Sequence, residues 1–407
     1  MTSMWDWDES AVLSPGCEEA AQVAFRQKVR RFVDAEMAPF AAEWESSKSF
    51  DAHRLITKAV EAGIYASCWP AGLGGTPIAA SGPTLVDDFI MNDELARSGQ
   101  GGVIACAFVS LAIGLPPVID TGGLAGGSEM TERIAKQITS GQKRIALAVT
   151  EAFGGSDVAA IRSTADLSAD KSNFVLNGEK TFITGGISAD YLTVAAKTNE
   201  GLSLFLVDAH LPGISKTRLE TQGWRSSETT RIIFDQVKVP STMLLGKEGA
   251  GFKPVMENFN HERWMLAVHA NRFSRNCLED AVAYARARST FGKKLIDHQV
   301  IRHKLAEMAR LVLSTHANGM QIMRVLGDKH ASVASKAGRT ALFKVQATKV
   351  FEVCAREASQ VLGGKSFLTG DGPGGRIERA YRDVRVYAIG GGSEEILLDL
   401  AIKQAKL

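Results

Sequence analysis

The spacing of apolar residues divides the chain into three stretches. Up to about residue 143, and again from about residue 250, apolar positions recur every three or four residues, as in amphipathic helices. Between about 144 and 245 the period shortens to two, which is typical of strands with one buried face. This order predicts an α+β multi-domain protein. We expect an N-terminal helical domain over residues 1–143, a middle antiparallel β domain over 144–248 and a C-terminal four-helix bundle over 249–407.

The individual elements follow from the same periods and from the glycines and prolines between them. Helices are predicted near residues 18–35, 51–64, 83–98, 103–115 and 128–140, and then 251–288, 298–327, 333–362 and 393–405. Strands are predicted at 191–196, 202–207 and 231–239. Asn177-Gly178 predicts a hairpin between strands 174–176 and 179–183, because both residues accept the positive φ angles of a type I′ turn. Helices as long as those after residue 250 need partners along their length, which predicts contact between subunits.

Composition and charge narrow the class of protein. A chain of 407 residues is expected to form two or three domains, and a net charge of +2 does not favour binding to nucleic acid or to a membrane surface. The apolar stretch from Val103 to Leu115 lies between glycine and proline pairs and is short, so we interpret it as a buried core helix. Five scattered cysteines, at 17, 68, 106, 277 and 354, show no metal-ligand spacing and indicate reduced thiols.

Residues at both termini bear on the compartment of the cell in which the protein is expected. Asp6, Asp8 and Glu9 are untypical of a signal or transit peptide, so we expect a cytoplasmic protein. The C-terminal Ala-Lys-Leu resembles a peroxisomal address of the Ser-Lys-Leu type, which makes the peroxisome the alternative location.

One carboxylate stands on an otherwise apolar helical face. The face holds Glu262 together with Val255, Phe259, Leu266, Ala270 and Phe273. A buried carboxylate is costly unless it has a partner or a chemical role. Two interpretations follow: a solvent-facing Glu beside Arg263, or a catalytic group.

Four further motifs follow in order along the chain. Residues 148–157 read AVTEAFGGSD and residues 177–186 read NGEKTFITGG. Residues 284–299 hold Tyr-Ala-x-x-Arg-x-x-Phe-Gly and then His-Gln, and residues 360–364 read QVLGG. Taken singly, each has a simple structural alternative, such as a glycine turn, a solvated basic run or a helix C-cap. With the order of domains, however, they resemble the acyl-CoA dehydrogenase family of flavoproteins, with Ala152 where the family has Pro.

The resemblance implies FAD as the cofactor. The residues that it assigns to FAD are Val149, Thr150, Ser156, Phe182, Thr184, Arg288, Phe291, Gln299, Gln360, Gly363, Gly364, Ser393 and Glu395. The planar fork of Arg288 suits a pyrophosphate. The resemblance places Arg288, Phe291 and Gln299 in the FAD site of a neighbouring subunit, so it implies a homo-oligomer, either a dimer or a dimer of dimers.

The resemblance also implies which group is the catalytic base. Most members take it from a late Tyr-Glu-Gly-Thr loop, but here Gly391 stands where that carboxylate would be. The long-chain and isovaleryl-type members instead carry Glu in a Glu-Arg pair on the long helix, and Glu262-Arg263 matches this pattern. Burial among apolar side chains would raise the pKa of such a carboxyl toward the working pH.

Four residues are implied to contact substrate: Ser156, Asn260, Arg263 and Gly391. The backbone N–H of Gly391 would donate to the thioester carbonyl. Arg263 would either order the loop that carries Gly391 or contact the CoA moiety.

The expected reaction is α,β-dehydrogenation of an acyl-CoA to the trans-2-enoyl-CoA. Glu262 takes the α-proton, flavin N5 receives the hydride, and an electron-transfer flavoprotein takes the electrons. One alternative is an acyl-CoA oxidase or flavin monooxygenase on the same fold. The other is a non-catalytic acyl-CoA-binding homologue, which we consider because Gly391 and Ala152 depart from the family's motifs.

Overall fold

Helices occupy both ends of the described chain, and strands lie between them. The computed structural model describes residues 20–370 and 372–406, so Cys17, the acidic residues near the N-terminus and Leu407 lie outside it. The first helices are α1 (Ala20–Glu36), α2 (Ala41–Ser47), α3 (Ala52–Glu61), α4 (Leu85–Ala96), α5 (Gly101–Ile104), α6 (Ser110–Gly114), α7 (Pro116–Asp120) and α8 (Ser128–Thr139). The later helices are α9 (Phe252–Ala287), α10 (Gln299–Gly327), α11 (Val333–Leu362), α12 (Gly375–Ile389) and α13 (Glu394–Ala405).

The described chain folds as two compact units. One comprises the chain up to Ser46, residues Pro77–Gln100 and the chain from Arg263 onward; the other comprises Ser47–Thr76 and Gly101–Glu262. The expected order of helical, β and helical segments is confirmed. The exact domain boundaries at 143/144 and 248/249 remain a prediction.

The second unit contains the main sheet. Its strands are β1 (Ile145–Ala148), β2 (Thr164–Leu167), β3 (Asn173–Ile183), β4 (Tyr191–Thr198), β5 (Gly201–Asp208), β6 (Ile214–Arg218), β7 (Thr230–Pro240) and β8 (Leu244–Leu245). The order is β6-β7-β3-β2-β4-β5-β8, with β1 beside β4. Most pairs are antiparallel, as expected, but β1 runs parallel to β4, and so does the start of β2. Phe174 and Phe205, with ring centroids 4.9 Å apart, lie in the core under this sheet.

The predicted hairpin at Asn177-Gly178 is wrong. Residues 173–183 form one continuous strand that pairs with β7, and the register shifts between Leu176 and Gly178. Gln236 on β7 donates from its backbone N–H to Oδ1 of Asn177 at 2.8 Å, and Gly178 has a φ of +141°. The extra residue of this β-bulge lies on β7, where Asp235 and Gln236 face Asn177 alone and Gln236 has a φ of +52°. Asn177-Gly178 therefore lies opposite a bulge and does not form a turn.

Gly178, opposite this bulge, has two constraints, its positive φ and the close approach of Ser163. A Cβ there would lie 2.3 Å from Oγ of Ser163, whereas a Cβ at Gly122, also at positive φ, would meet nothing within 4 Å. We expect Gly122→Ala to cost about 1 kcal/mol through backbone strain alone. Gly178→Ala should cost roughly 3 kcal/mol or more, because it adds overpacking. Urea unfolding of the two variants measures the difference, and equal losses would contradict the crowding at Ser163.

The apolar stretch before the sheet is interior, as predicted. It comprises α5, a π-helical turn over Ala105–Val109, α6 and α7. Residues Gly101–Asp120 are long and apolar enough to cross a membrane, but 78% of the relevant window is buried. Gly114 is fixed against the sheet, since Thr193 on β4 donates to its carbonyl at 2.7 Å. Cys68, Cys106, Cys277 and Cys354 are thiols rather than disulfides.

The first unit is built on long helices and a buried ion cluster. Arg26 on α1 and Arg272 on α9 both pair with Asp93 on α4, at 2.9 and 2.5 Å. Glu94, fully buried on α4, pairs with Arg26 at 2.9 Å and with Arg30 at 2.7 Å. Buried charges require such partners. The cluster therefore connects α1, α4 and α9.

Candidate active site

Glu262 lies in α9 and is half-buried. Val255, Leu266 and Phe273 on the predicted apolar face are buried, as is Ala270, while Phe259 is half-buried. The Asn258 side chain, one turn before Glu262, donates to the carbonyl of Ile113 at 2.7 Å and anchors this part of α9. Glu262 thus has mostly apolar neighbours along its helix without being withdrawn from the surface.

Two buried cations hold the loop that carries Gly391. Arg263 donates from Nε to the carbonyl oxygen of Gly391 at 2.8 Å. Lys344 on α11, which is fully buried, donates to the carbonyls of Ala388 and Gly392 at 2.9 and 2.8 Å. Gly391 has a φ of +67° and Gly392 a φ of +112°, values that glycine adopts readily. The loop is therefore fixed through its carbonyls, which agrees with the first of the two roles expected for Arg263.

The start of the signature at 148–157 is joined to the end of β3. Thr181 donates from its N–H to the carbonyl of Thr150 at 2.9 Å. Lys180 donates from Nζ to the carbonyl of Val149 at 3.0 Å and to Glu151 at 2.7 Å. The structure thus brings Val149 and Thr150 close to the strand end that carries Phe182 and Thr184.

Lys180 and Glu151 form a buried ion pair that is not among the site residues predicted from the sequence. Burial lowers the pKa of Lys180 to about 8, against the opposing pull of Glu151. Burial raises the pKa of Glu151, but hydrogen bonds from Lys180, Ser163 and the backbone N–H of Arg162 outweigh it and hold the pKa below its ordinary value. Both groups are therefore charged at neutral pH. An inward-facing Lys in an alternating strand was the sequence signal that could have identified the pair.

Two predicted cofactor contacts are exposed aromatics with strained backbones. Phe182 is 66% exposed with a φ of +60°, and Phe291 is 96% exposed with a φ of +50°. A bulky residue at positive φ costs free energy and is found most often where a function requires it. Gly292, with a φ of +77°, follows Phe291, so the pair forms the turn of a two-residue hairpin between β9 (Ser289–Thr290) and β10 (Lys293–Lys294).

The remaining predicted residues are placed as follows. Arg288 and Gln299 flank the β9–β10 hairpin and are exposed, and the ring of Phe291 packs edge-on against His298 at 6.2 Å. Gln360, Gly363 and Gly364 are exposed at the end of α11, where Gly363 caps the helix with a φ of +58°. This C-cap is the simple alternative noted from the sequence, and it leaves the glycine surface open, since a Cβ at either glycine would meet nothing within 4 Å.

Other predicted contacts lie on the turns and helix starts. Ser156 is exposed on the glycine turn after Glu151, and Asn260 is half-buried on α9. Ser393 is the N-cap residue of α13. The pKa of Glu395 is lowered by its own backbone N–H and then by the hydroxyl of Ser393. The helix start at 393–395 is therefore ordered by local hydrogen bonds.

Comparisons with known proteins agree on one family. The sequence matches the acyl-CoA dehydrogenase N-terminal domain over residues 19–142, the middle domain over 146–237 and the C-terminal domain over 249–406. It is 34% identical to the acyl-CoA dehydrogenase AFT10-1 of Alternaria alternata, over 93% of this chain and 90% of that protein. It is 30% identical to the mitochondrial long-chain specific acyl-CoA dehydrogenase of Rattus norvegicus, over 93% and 85%. A solved acyl-CoA dehydrogenase complexed with FAD from Bacillus anthracis superimposes with a TM-score of 0.88 at 26% identity, over 96% of this chain and 68% of that one.

Proposed function

Because the chain belongs to the acyl-CoA dehydrogenase family, we propose that it oxidises the α,β-bond of an acyl-CoA thioester to the trans-2-enoyl-CoA with Glu262 as its base. The fold and the oxidoreductase class follow from membership of this family. What we propose is that Glu262 is the base and that it lies on the long helix, as in the long-chain and isovaleryl-type members.

The loop at Gly391 supports this base most directly. Position 391 has no side chain, and its backbone is held by the hydrogen bond from Arg263. A carboxylate must then come from elsewhere, and Glu262 lies one residue before that same Arg263, half-buried on a mainly apolar helix face. Removal of an α-proton needs a base in a poorly solvated position, where burial raises the pKa of a carboxyl.

The cofactor is FAD, and the residues present fit it. Phe182 and Phe291 each offer an exposed aromatic surface at a positive φ, and a Cβ at Gly363 or Gly364 would meet nothing within 4 Å, so a flavin can approach each of these positions. The other residues that would hold it are Val149, Thr150, Ser156, Thr184, Arg288, Gln299, Gln360, Ser393 and Glu395. When bound, FAD supplies the acceptor for the hydride that leaves the β-carbon.

The remaining steps belong to residues of this chain. Glu262 accepts the proton from the α-carbon. The backbone N–H of Gly391 donates to the thioester carbonyl and stabilises the negative charge that develops there. Arg263 keeps that loop in place, and Ser156 and Asn260 orient the thioester.

A second copy of the chain and a protein electron acceptor complete the proposal. Arg288, Phe291 and Gln299 are exposed on one chain, which supports a role in the site of a neighbouring subunit. We therefore propose a homo-oligomer, as a dimer or dimer of dimers, that passes its electrons to an electron-transfer flavoprotein.

The test is anaerobic mixing of the yellow holoenzyme with a panel of straight-chain, branched and aromatic acyl-CoAs. At least one thioester is expected to bleach the flavin absorbance and to be recovered as the 2-enoyl-CoA. A subsequent pulse of air separates the dehydrogenase from an oxidase, because slow reoxidation is expected of a dehydrogenase. A flavin that no thioester bleaches would instead indicate a non-catalytic acyl-CoA-binding protein.

A further inference from the structure

The buried pair of Lys180 and Glu151 joins three backbone segments of the second unit. Lys180 is fully buried and its ammonium group donates to the end of β1 at Val149, and to Glu151 in the signature turn. Glu151 accepts in addition from Ser163, both from its N–H at 3.0 Å and from its hydroxyl at 2.6 Å, and from the N–H of Arg162. The pair is thus the common partner of the strand end, the turn and the start of β2.

The cofactor contacts proposed for this unit adjoin the pair on the end of β1, the turn and the end of β3, and of these residues Val149 is itself buried. Val149 and Thr150 follow β1, Ser156 lies on the exposed side of the turn, and Phe182 points outward two residues after Lys180. In a strand, successive side chains alternate between faces, so Lys180 and Phe182 would share a face in a regular strand. The positive φ of Phe182 breaks this alternation, and the result is an exposed ring beside a buried ammonium group.

Gly178, opposite the bulge on β7, is part of the same arrangement. A Cβ at Gly178 would lie 2.3 Å from Oγ of Ser163, so the absence of a side chain lets Ser163 approach β3 closely enough to reach Glu151. Buried ion pairs contribute little net stability compared with apolar side chains of similar size. Here each oxygen and the ammonium group has a named partner, so a shift of any one segment would break a buried hydrogen bond. A fully buried Lys with two oxygen partners is therefore better suited to fixing backbone positions than to raising stability.

We propose that Lys180, acting through Glu151, is a positioning residue for FAD: the pair fixes the relative placement of Thr150, the turn at Ser156 and Phe182. This inference depends on the proposed function for the identity of the cofactor. Lys180 itself contacts backbone and carboxylate oxygens of the protein, so its effect is on the shape of the binding surface.

The experiment is a titration of apo-protein with FAD, followed by flavin fluorescence, with thermal unfolding of the same apo-protein measured in parallel. Lys180→Met and Glu151→Gln are each expected to raise the Kd for FAD at least tenfold. Because the two residues act as one unit, the double variant should bind no more weakly than the weaker single variant. Visible absorbance of the bound flavin should also change shape, since the ring would sit in altered surroundings.

Two further variants keep the test decisive. Glu179→Gln is the matched control, because Glu179 adjoins Lys180 in β3 but pairs at the surface with Arg231 at 2.6 Å, and it should leave the Kd unchanged. Ser163→Ala removes one hydrogen bond to Glu151 without leaving a buried charge unpaired, and it should raise the Kd for FAD severalfold. This variant provides the test if Lys180→Met fails to fold.

An unchanged Kd in folded Lys180→Met or Ser163→Ala, with only the melting temperature lowered, would overturn the proposal and leave the pair a structural element. Failure of the proposed function is a different observation: wild-type protein that binds FAD tightly but is bleached by no acyl-CoA.

Discussion

Glu262→Gln is expected to slow flavin bleaching by a bound acyl-CoA by about 10³-fold, in the range that a general base contributes. Gln preserves the size and polarity of the side chain but cannot accept the α-proton. FAD content and the Kd for acyl-CoA should stay near their wild-type values, because the lost interaction belongs to the transition state. Anaerobic stopped-flow absorbance measures the bleaching rate directly.

Glu257→Gln serves as the control for this variant. Glu257 lies on the same helix, is exposed and pairs with Lys253 at 3.8 Å, so its replacement should leave the rate of flavin bleaching unchanged.

In the double variant Glu262→Gln with Gly391→Glu, part of the bleaching rate should return, although Glu must then adopt a φ of +67°. Bleaching of Glu262→Gln at the wild-type rate would show that another group takes the proton.

Arg272→Met should lower the free energy of unfolding by about 3–5 kcal/mol, as is typical when one partner of a buried ion pair is removed. Arg272 is fully buried and forks onto both carboxylate oxygens of Asp93, at 2.8 and 2.5 Å. The substitution leaves Asp93 and Glu94 with one cation fewer in the interior. Urea unfolding of the FAD-free proteins measures the loss without a contribution from the cofactor.

Arg310→Met tests whether burial, rather than geometry, sets the size of this effect. Arg310 forks onto Glu307 at 2.7 and 2.6 Å, but both side chains are exposed, so the free energy of unfolding should fall far less than in Arg272→Met. Comparable losses in the two variants would contradict the importance of burial.

Acid should separate Arg272→Met from the wild type. Burial raises the pKa of Asp93, but Arg272, Arg26 and Arg275 outweigh it and hold the pKa well below its ordinary value. A carboxyl with a lowered pKa in the folded state adds stability that is present above its unfolded pKa of about 3.9 and is lost as the pH falls. The wild type should therefore lose stability more steeply below pH 4 than Arg272→Met does.

Helices with a clear apolar period could be predicted from the sequence. The prediction failed where the same local sequence is compatible with two different backbone structures. The long helices α9, α10 and α11 lie within a residue or two of the expected bounds. Asn177-Gly178 favours a turn because both residues accept positive φ, but β3 continues through them and the extra residue that forms the bulge lies on the partner strand β7. Pairing across 50 or more residues is not visible in a local pattern.

Helix α12 was missed for a different reason. Its inner face holds the apolar residues Ile377, Val384 and Tyr387, but Arg379 and Asp383 are buried on the same helix. Charged residues at interior positions obscure the apolar period, and glycines at 372, 374 and 375 indicate a loop. At the site, the sequence motifs identified the exposed aromatic residues and the loop at Gly391. The buried lysines that hold the neighbouring backbone, Lys180 and Lys344, could be identified only from the three-dimensional structure.

The π-helical turn at Ala105–Val109 decides where this segment tolerates a change of length. Such a turn contains one residue more than a regular helix would use. Deleting a single residue within it would let the helix close as a regular α-helix, with the residues that follow near their present orientation. A deletion in the regular turns before Gly114 would instead rotate everything after it by about 100°. Gly114 would then lose both its bond from Thr193 and its close packing on Ile145, where a Cβ would already lie at 3.1 Å. During evolution, selection should therefore remove deletions outside the π-helical turn and tolerate a one-residue deletion within it.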